Sequence, residues 1–259
     1  MAVRAGSRFL RSMSLRGSAP DAGYPYDLPA VAALGGDPVT FGDVTVLVGQ
    51  NGSGKSTLIE AIAVAAGLNA EGGSTHLRFT TMSTHSSLSE HLALQWTQRP
   101  RWGWFLRAET FYGMATHIAD DDEVDEYGRP LGIAGMFPDL HARSHGESFL
   151  QLIDSRFRDA GFYVMDEPES ALSFQGQLGL LRFMHDGIAA GSQFVIATHS
   201  PLLMRMPGAV VYELDDGITR CDYDDIAVVG LWRRFLNAPE RMLANLFDDE
   251  CPDRTDTTD

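Results

Sequence analysis

Residues 43–48, Asp-Val-Thr-Val-Leu-Val, are an apolar run of the length of one buried β-strand. Directly after it stand Gly49-Gln50-Asn51-Gly52-Ser53-Gly54-Lys55-Ser56-Thr57, and over residues 56–66 Leu58, Ile59 and Ile62 recur at helical spacing until Gly67. Strand, glycine-rich loop and helix in this order place the chain in the α/β class. The loop fits G-x-x-x-x-G-K-S/T, in which backbone N–H groups close around phosphate oxygens and the lysine reaches the β- and γ-phosphates. Lys55 is the only lysine among 20 basic residues. Arginine is too broad and planar for such a slot, which takes a compact point charge.

Residues 162–168, Phe-Tyr-Val-Met-Asp-Glu-Pro, are a second apolar strand, ending in two acids. At the carboxyl edge of a sheet beside the phosphate loop, Asp166 can hold Mg²⁺ through water and Glu167 can orient and deprotonate an attacking water. A third strand, residues 193–198, leads into His199-Ser200-Pro201. A histidine just past a buried strand at the same edge is placed to sense a γ-phosphate. Ser144-His145-Gly146-Glu147-Ser148 stands before a predicted helix over residues 149–157. A serine, a glycine and free N–H groups at a helix start form an anion site, and the chain already has one for its own nucleotide. The spare site suggests the nucleotide of a second subunit.

At 259 residues the chain can bury the core of one large α/β domain, over residues 1–247, with a subdomain inserted at about residues 72–160 and an acidic, disordered tail at 248–259. Apolar runs fall short of the roughly 18 residues of a membrane span. The net charge of −15 is concentrated in residues 120–126 and 248–259, and the remainder is nearly balanced, so charge neither supports nor excludes DNA binding. Arg4, Arg8, Arg11 and Arg16 faintly resemble a targeting peptide but lack its apolar segment, and a first strand over residues 9–15 is the plainer expectation. Cys221 and Cys251 have no metal-site or disulfide spacing, which fits a reducing cytoplasm.

In order and spacing across residues 39–215 these motifs resemble those of the ATP-binding cassette ATPases. Residues 49–57 look like the Walker A loop, 144–148 like the signature, 162–167 like Walker B with its catalytic glutamate, Ser170-Ala171-Leu172-Ser173 like the D-loop, and His199 like the switch histidine. The phrases around Ser144, Asp166 and His199 are most similar to those of small soluble AAA family ATPases related to the ATP-binding heads of SMC and double-strand-break-repair proteins. His145, Glu147 and Ser173 depart from the usual glycine, glutamine and aspartate.

The resemblance implies a P-loop NTPase with a mostly parallel sheet flanked by helices. It implies a nucleotide-sandwich homodimer in which Lys55 meets the β- and γ-phosphates, Ser56 and Asp166 serve the metal, Ser144 and Gly146 of a second subunit close over the γ-phosphate, and Glu167 and His199 act in hydrolysis. Residues 104–109 read as the strand after Walker A and 110–119 as the next helix, which puts Glu109 at the Q-loop position, near Mg²⁺ or water. A structural role for Glu109, or service by Gln95 or Gln98, stays open.

Between Lys55 and Ser144 there is no room and no heptad pattern for a coiled-coil arm. Trp96, Arg99, Arg101, Trp102, Trp104, Phe105 and Arg107 could stack on bases, or form a packed hairpin with solvent-facing arginines. Tyr24 or Tyr26 could stack on adenine. Residues 210–214 with Asp215-Asp216-Gly217 suggest an edge hairpin, and residues 231–247 a helix interrupted at Pro239. Such an ATPase could serve DNA maintenance, repair or defence through DNA or a protein partner. The alternatives are the nucleotide-binding subunit of a transporter, docking a membrane domain near residues 90–120, and an ATP-sensing module, which the intact Glu167 opposes.

Overall fold

The computed structural model describes residues 9–17, 19–20, 22–69, 73–74, 87–107 and 160–248. Its main sheet is built on Val44–Val48 (β3), Phe162–Asp166 (β7) and Gln193–Ala197 (β8). Every residue of these three strands is buried, the pattern of parallel strands covered on both faces. Leu10–Leu15 (β1), Val39–Thr40 (β2), Gly73–Ser74 (β4), Leu92–Trp96 (β5), Gly103–Arg107 (β6), Val210–Glu213 (β9) and Thr219–Cys221 (β10) complete the described strands.

The main sheet has seven strands in the order β10-β9-β3-β8-β7-β6-β4. From β9 to β6 each neighbouring pair is parallel, while β4 runs antiparallel to β6. The expected mostly parallel sheet is therefore present, and the carboxyl ends of β3, β7 and β8 lie side by side. β9 is an interior strand, paired in register with β3 from Thr45↔Val210 to Val48↔Glu213, so the expected edge hairpin has its edge at β10.

Described helices are Pro29–Ala33 (α1), Lys55–Ala65 (α2), Leu88–His91 (α3), Phe174–Ala190 (α4), Pro201–Met204 (α5), Ala227–Asn237 (α6) and Pro239–Asp248 (α7). Leu58, Ile59 and Ile62 of α2 are fully buried in one core with Leu47, Phe162, Val164 and Val195. The strands β2-β1-β5 form a separate antiparallel sheet. The buried amide of Gln193 ties it to the main sheet. Its Oε1 accepts from the N–H groups of Phe9 (3.2 Å) and Leu10 (2.7 Å), and its Nε2 donates to the carbonyls of Leu10 and Gly42, both at 2.8 Å.

The contacts divide the chain after Arg220. In the second unit the predicted helix is interrupted as expected, with Pro239 opening α7, where its missing N–H breaks no bond. There Arg233 pairs with Asp224 and lies over the Tyr223 ring. Among the described residues no helix is long and apolar enough to cross a membrane.

Candidate functional site: a phosphate loop and a paired-acid strand end

Gly49 follows β3 at φ +151°, and a Cβ there would stand 2.7 Å from Ser53 Oγ and 2.8 Å from Asp215 Oδ1. Gly54, at φ +93°, caps α2 in the left-handed region that glycine enters without penalty. The loop is held from outside by Asp215, just past β9, whose Oδ1 accepts from Gln50 N–H at 2.6 Å. Lys55 is buried, and its Nζ donates to the carbonyls of Gly49 (2.9 Å) and Gln50 (2.8 Å). Burial pushes this ammonium below its ordinary pKa, opposed by the carboxylates of Glu167, Asp215, Asp166 and Glu169.

Asp166 ends β7, beside the start of α2. Its Oδ1 accepts from Ser56 Oγ at 3.2 Å, and its Oδ2 lies 3.4 Å from Arg107 Nε. Arg107 ends β6 and also pairs through Nη2 with Glu60 Oε2 at 2.8 Å. Burial pushes Asp166 up to about 6, against the lowering pull of Arg107 and of the Ser56 hydrogen bond.

The next residue, Glu167, has φ 46° and ψ 50°, the one non-glycine among the described residues with positive φ. Residues held there typically store about 1–3 kcal/mol of strain and cluster at functional sites. Its N–H donates to Ala197 O at 2.9 Å, extending the β7–β8 ladder, and its Oε1 lies 3.6 Å from His199 Nε2. Ser173, in place of the usual aspartate, caps α4, its Oγ accepting from Gly176 N–H.

Lys55, Ser56, Asp166, Glu167 and His199 are thus assembled at one sheet edge from three strand ends. Asn51 and Gly52 are exposed on the loop, and Ser53 Oγ is buried with no hydrogen-bond partner among the described residues. Glycine-opened backbone, an enclosed lysine and this unmatched hydroxyl fit a polyphosphate. No cluster of three His, Cys, Asp or Glu side chains occurs among the described residues. The neighbouring hydroxyl and carboxylate of Ser56 and Asp166 instead fit Mg²⁺, a hard cation that keeps waters and phosphate oxygens as its other ligands. Ser144, Gly146 and Glu109 lie outside the described residues.

Tyr24 is exposed, with its hydroxyl 3.0 Å from Thr57 Oγ1 at the start of α2. Tyr26 is buried, its hydroxyl bonded to Ser87 Oγ and His91 Nδ1, so it has no free ring face for a base. The aromatic–arginine segment is split between the two sheets. Trp96 packs edge-on to Phe162 and carries Arg99 on its face, Trp104 and Phe105 are buried, and Arg107 belongs to the site. Sequence reasoning missed the site roles of Arg107, Glu60, Glu169 and Asp215. For Arg107 the available signal was its place in the strand predicted to follow Walker A.

Residues 44–95 and 123–205, just over half of the chain, match the family model described as "AAA domain, putative AbiEii toxin, Type IV TA system". The chain is 30% identical over 195 residues to the putative ribose/galactose/methyl galactoside import ATP-binding protein 1 of Rhizobium etli, covering 66% of this chain and 36% of that protein. It is 27% identical over 176 residues to the cytochrome c biogenesis ATP-binding export protein CcmA of Rhodopseudomonas palustris, covering 62% of this chain and 80% of that one. Among solved structures the SMC head domain from Thermotoga maritima aligns with a TM-score of 0.40 at 19% identity, over 82% of this chain and 99% of that one.

Proposed function

The chain belongs to the AAA-domain family whose model it matches, and we propose that it is an ABC-type P-loop ATPase whose ATP cycle closes and opens a homodimer that acts on a soluble partner or on DNA. The observation that carries this reading is the meeting of Ser56 with Asp166 at 3.2 Å beside the enclosed Lys55 and the Glu167–His199 pair.

Lys55 leaves the carbonyls of Gly49 and Gln50 to donate to β- and γ-phosphate oxygens, an exchange of neutral acceptors for charged ones. The exposed ring of Tyr24, held at its hydroxyl by Thr57, is the platform for the adenine. Ser56 and Asp166 would hold Mg²⁺, which when bound would neutralise phosphate charge. Glu167 accepts a proton from water as the water oxygen bonds to the γ-phosphorus, and the bond to the bridging oxygen breaks with its electrons leaving on ADP. Lys55 and the loop N–H groups meet that charge. His199 donates from Nε2 to the γ-phosphate.

Ser144 and Gly146 of a second copy close over the same phosphate. Two nucleotides then lie at one symmetric interface, and hydrolysis removes the contacts that hold it.

The test is steady-state ATP hydrolysis, alone and with linear or single-stranded DNA at low salt, with gel filtration of Glu167→Gln in ATP. Turnover abolished in Glu167→Gln, together with an ATP-dependent dimer of that variant, is expected. A monomer under every condition would sink the sandwich, and absent turnover would sink the ATPase cycle. The import and export ATP-binding proteins among the relatives favour one second reading, a transporter motor. Turnover indifferent to DNA and a membrane protein that co-purifies would support it.

A further inference from the structure

We infer that Glu169 is a positioning residue of this reaction, a carboxylate that ties the His199 loop to the end of β7 and thereby sets the distance between Glu167 and His199. The inference deepens the proposed function and rests on it. Glu169 lies in the 3-10 turn Pro168–Ala171 that directly follows Glu167. Its Oε1 accepts from His199 N–H at 2.5 Å and from Ser200 N–H at 3.2 Å, thirty and thirty-one residues along the chain.

These two N–H groups lie just past the point where the β7–β8 ladder stops, at Glu167 N–H to Ala197 O. A neutral loop would leave His199 N–H to water. A side-chain oxygen shared by two consecutive amides instead fixes the backbone from which the His199 ring projects; the short bond is the one to His199 N–H, since Ser200 N–H is also held by Thr198 Oγ1 at 3.0 Å.

Neighbouring bonds close the same bracket. Ser170 Oγ donates to Glu167 O at 2.9 Å, and Ser200 Oγ donates to Gln177 Oε1 on α4 at 2.6 Å. With both sides pinned, the left-handed Glu167 backbone and the His199 loop move together, and the side chains face each other at 3.6 Å.

Glu169 is not itself the base. Its Oε1 is committed to two amides and its Oε2 is enclosed, whereas the Glu167 side chain is 42% exposed and can meet water.

Amide hydrogen exchange on the full-length, nucleotide-free chain reads the tether directly. Glu169→Ala should speed exchange at His199 by at least about tenfold, with a smaller change at Ser200, whose N–H keeps Thr198 Oγ1, and Glu169→Gln, which keeps an acceptor oxygen, should restore most of the protection. With ATP, Glu169→Ala should lower kcat on the order of 10²-fold, the usual consequence of displacing a catalytic group by about 1 Å, while KM and the binding of a fluorescent ATP analogue stay as in the wild type. Glu169→Gln should recover much of kcat. Should Glu169→Ala not fold, Glu169→Asp, with its shorter reach, gives the same comparison.

Unchanged exchange at His199 would overturn the tether. Lost protection with unaltered kcat, or a loss confined to KM, would overturn the positioning role. A wild-type chain without turnover would count against the proposed function instead, and the exchange measurement would still decide the tether.

Discussion

Ser56 Oγ donates to Asp166 Oδ1 at 3.2 Å across 110 residues of sequence. The bond joins the first turn of the helix after the phosphate loop to the last residue of the paired-acid strand, so the residues proposed to hold the metal are brought together by the strand order of the sheet.

Asp166 gives the ligand-free fold a pH dependence with a definite sign. Burial raises it to about 6 from an ordinary 3.8, so between those values the folded chain keeps a proton that the unfolded chain has released. Its contribution to stability is complete below about 4 and is lost as pH rises through 6. The wild type should lose up to about 3 kcal/mol over that window relative to Asp166→Asn, measured as the difference in urea unfolding free energy. Arg107→Ala, which removes the lowering influence, should move the window to higher pH.

Lys55→Ala should bind a fluorescent ATP analogue at least about tenfold more weakly, the usual worth of one charge-assisted hydrogen bond to phosphate. Lys55→Arg should not rescue binding, because the slot is buried and shaped by the carbonyls of Gly49 and Gln50. Titration of the analogue into the two variants checks both statements.

Gly49→Ala places a methyl group within 2.8 Å of both Ser53 Oγ and Asp215 Oδ1, at a φ that side chains rarely adopt. A loss of about 2 kcal/mol in unfolding free energy is expected, together with weakened nucleotide binding as the Asp215–Gln50 contact is pushed apart. Chemical denaturation and analogue titration measure the two effects separately.

Gln193→Leu keeps the volume but removes two acceptor bonds and two donor bonds in the interior. The N–H groups of Phe9 and Leu10 and the carbonyl of Gly42 lose those partners. A destabilisation of about 3 kcal/mol or more is expected, with hydrogen exchange rising first along β1.

The parts of the site that were legible are those whose chemistry is local. Lys55 and Ser56 follow a strand and open a helix, Asp166 and Glu167 end a strand, and His199 follows one, so each could be placed by its own neighbours. Arg107, Glu169 and Asp215 could not, because their partners lie 59, 30 and 165 residues away and meet only through the strand order. The same dependence on strand order hid the position of β9. The run 210–214 and the turn after it suggested an edge hairpin, whereas parallel pairing with β3 makes β9 interior and brings Asp215 to the loop. The tyrosines show the limit from the other side. Tyr24 and Tyr26 are equivalent by composition and spacing, and only packing leaves one exposed beside Thr57 and buries the other against His91.

Lys55 also gives the protein a single chemical handle. The sequence carries one side-chain amine, and it lies inside the phosphate loop. An amine-directed acylating reagent therefore has one lysine to modify, and a phosphate-bearing ligand held by that nitrogen would shield it. Acylation at this position, followed by peptide mass, becomes a count of vacant loops in a mixed population, read without any engineered label.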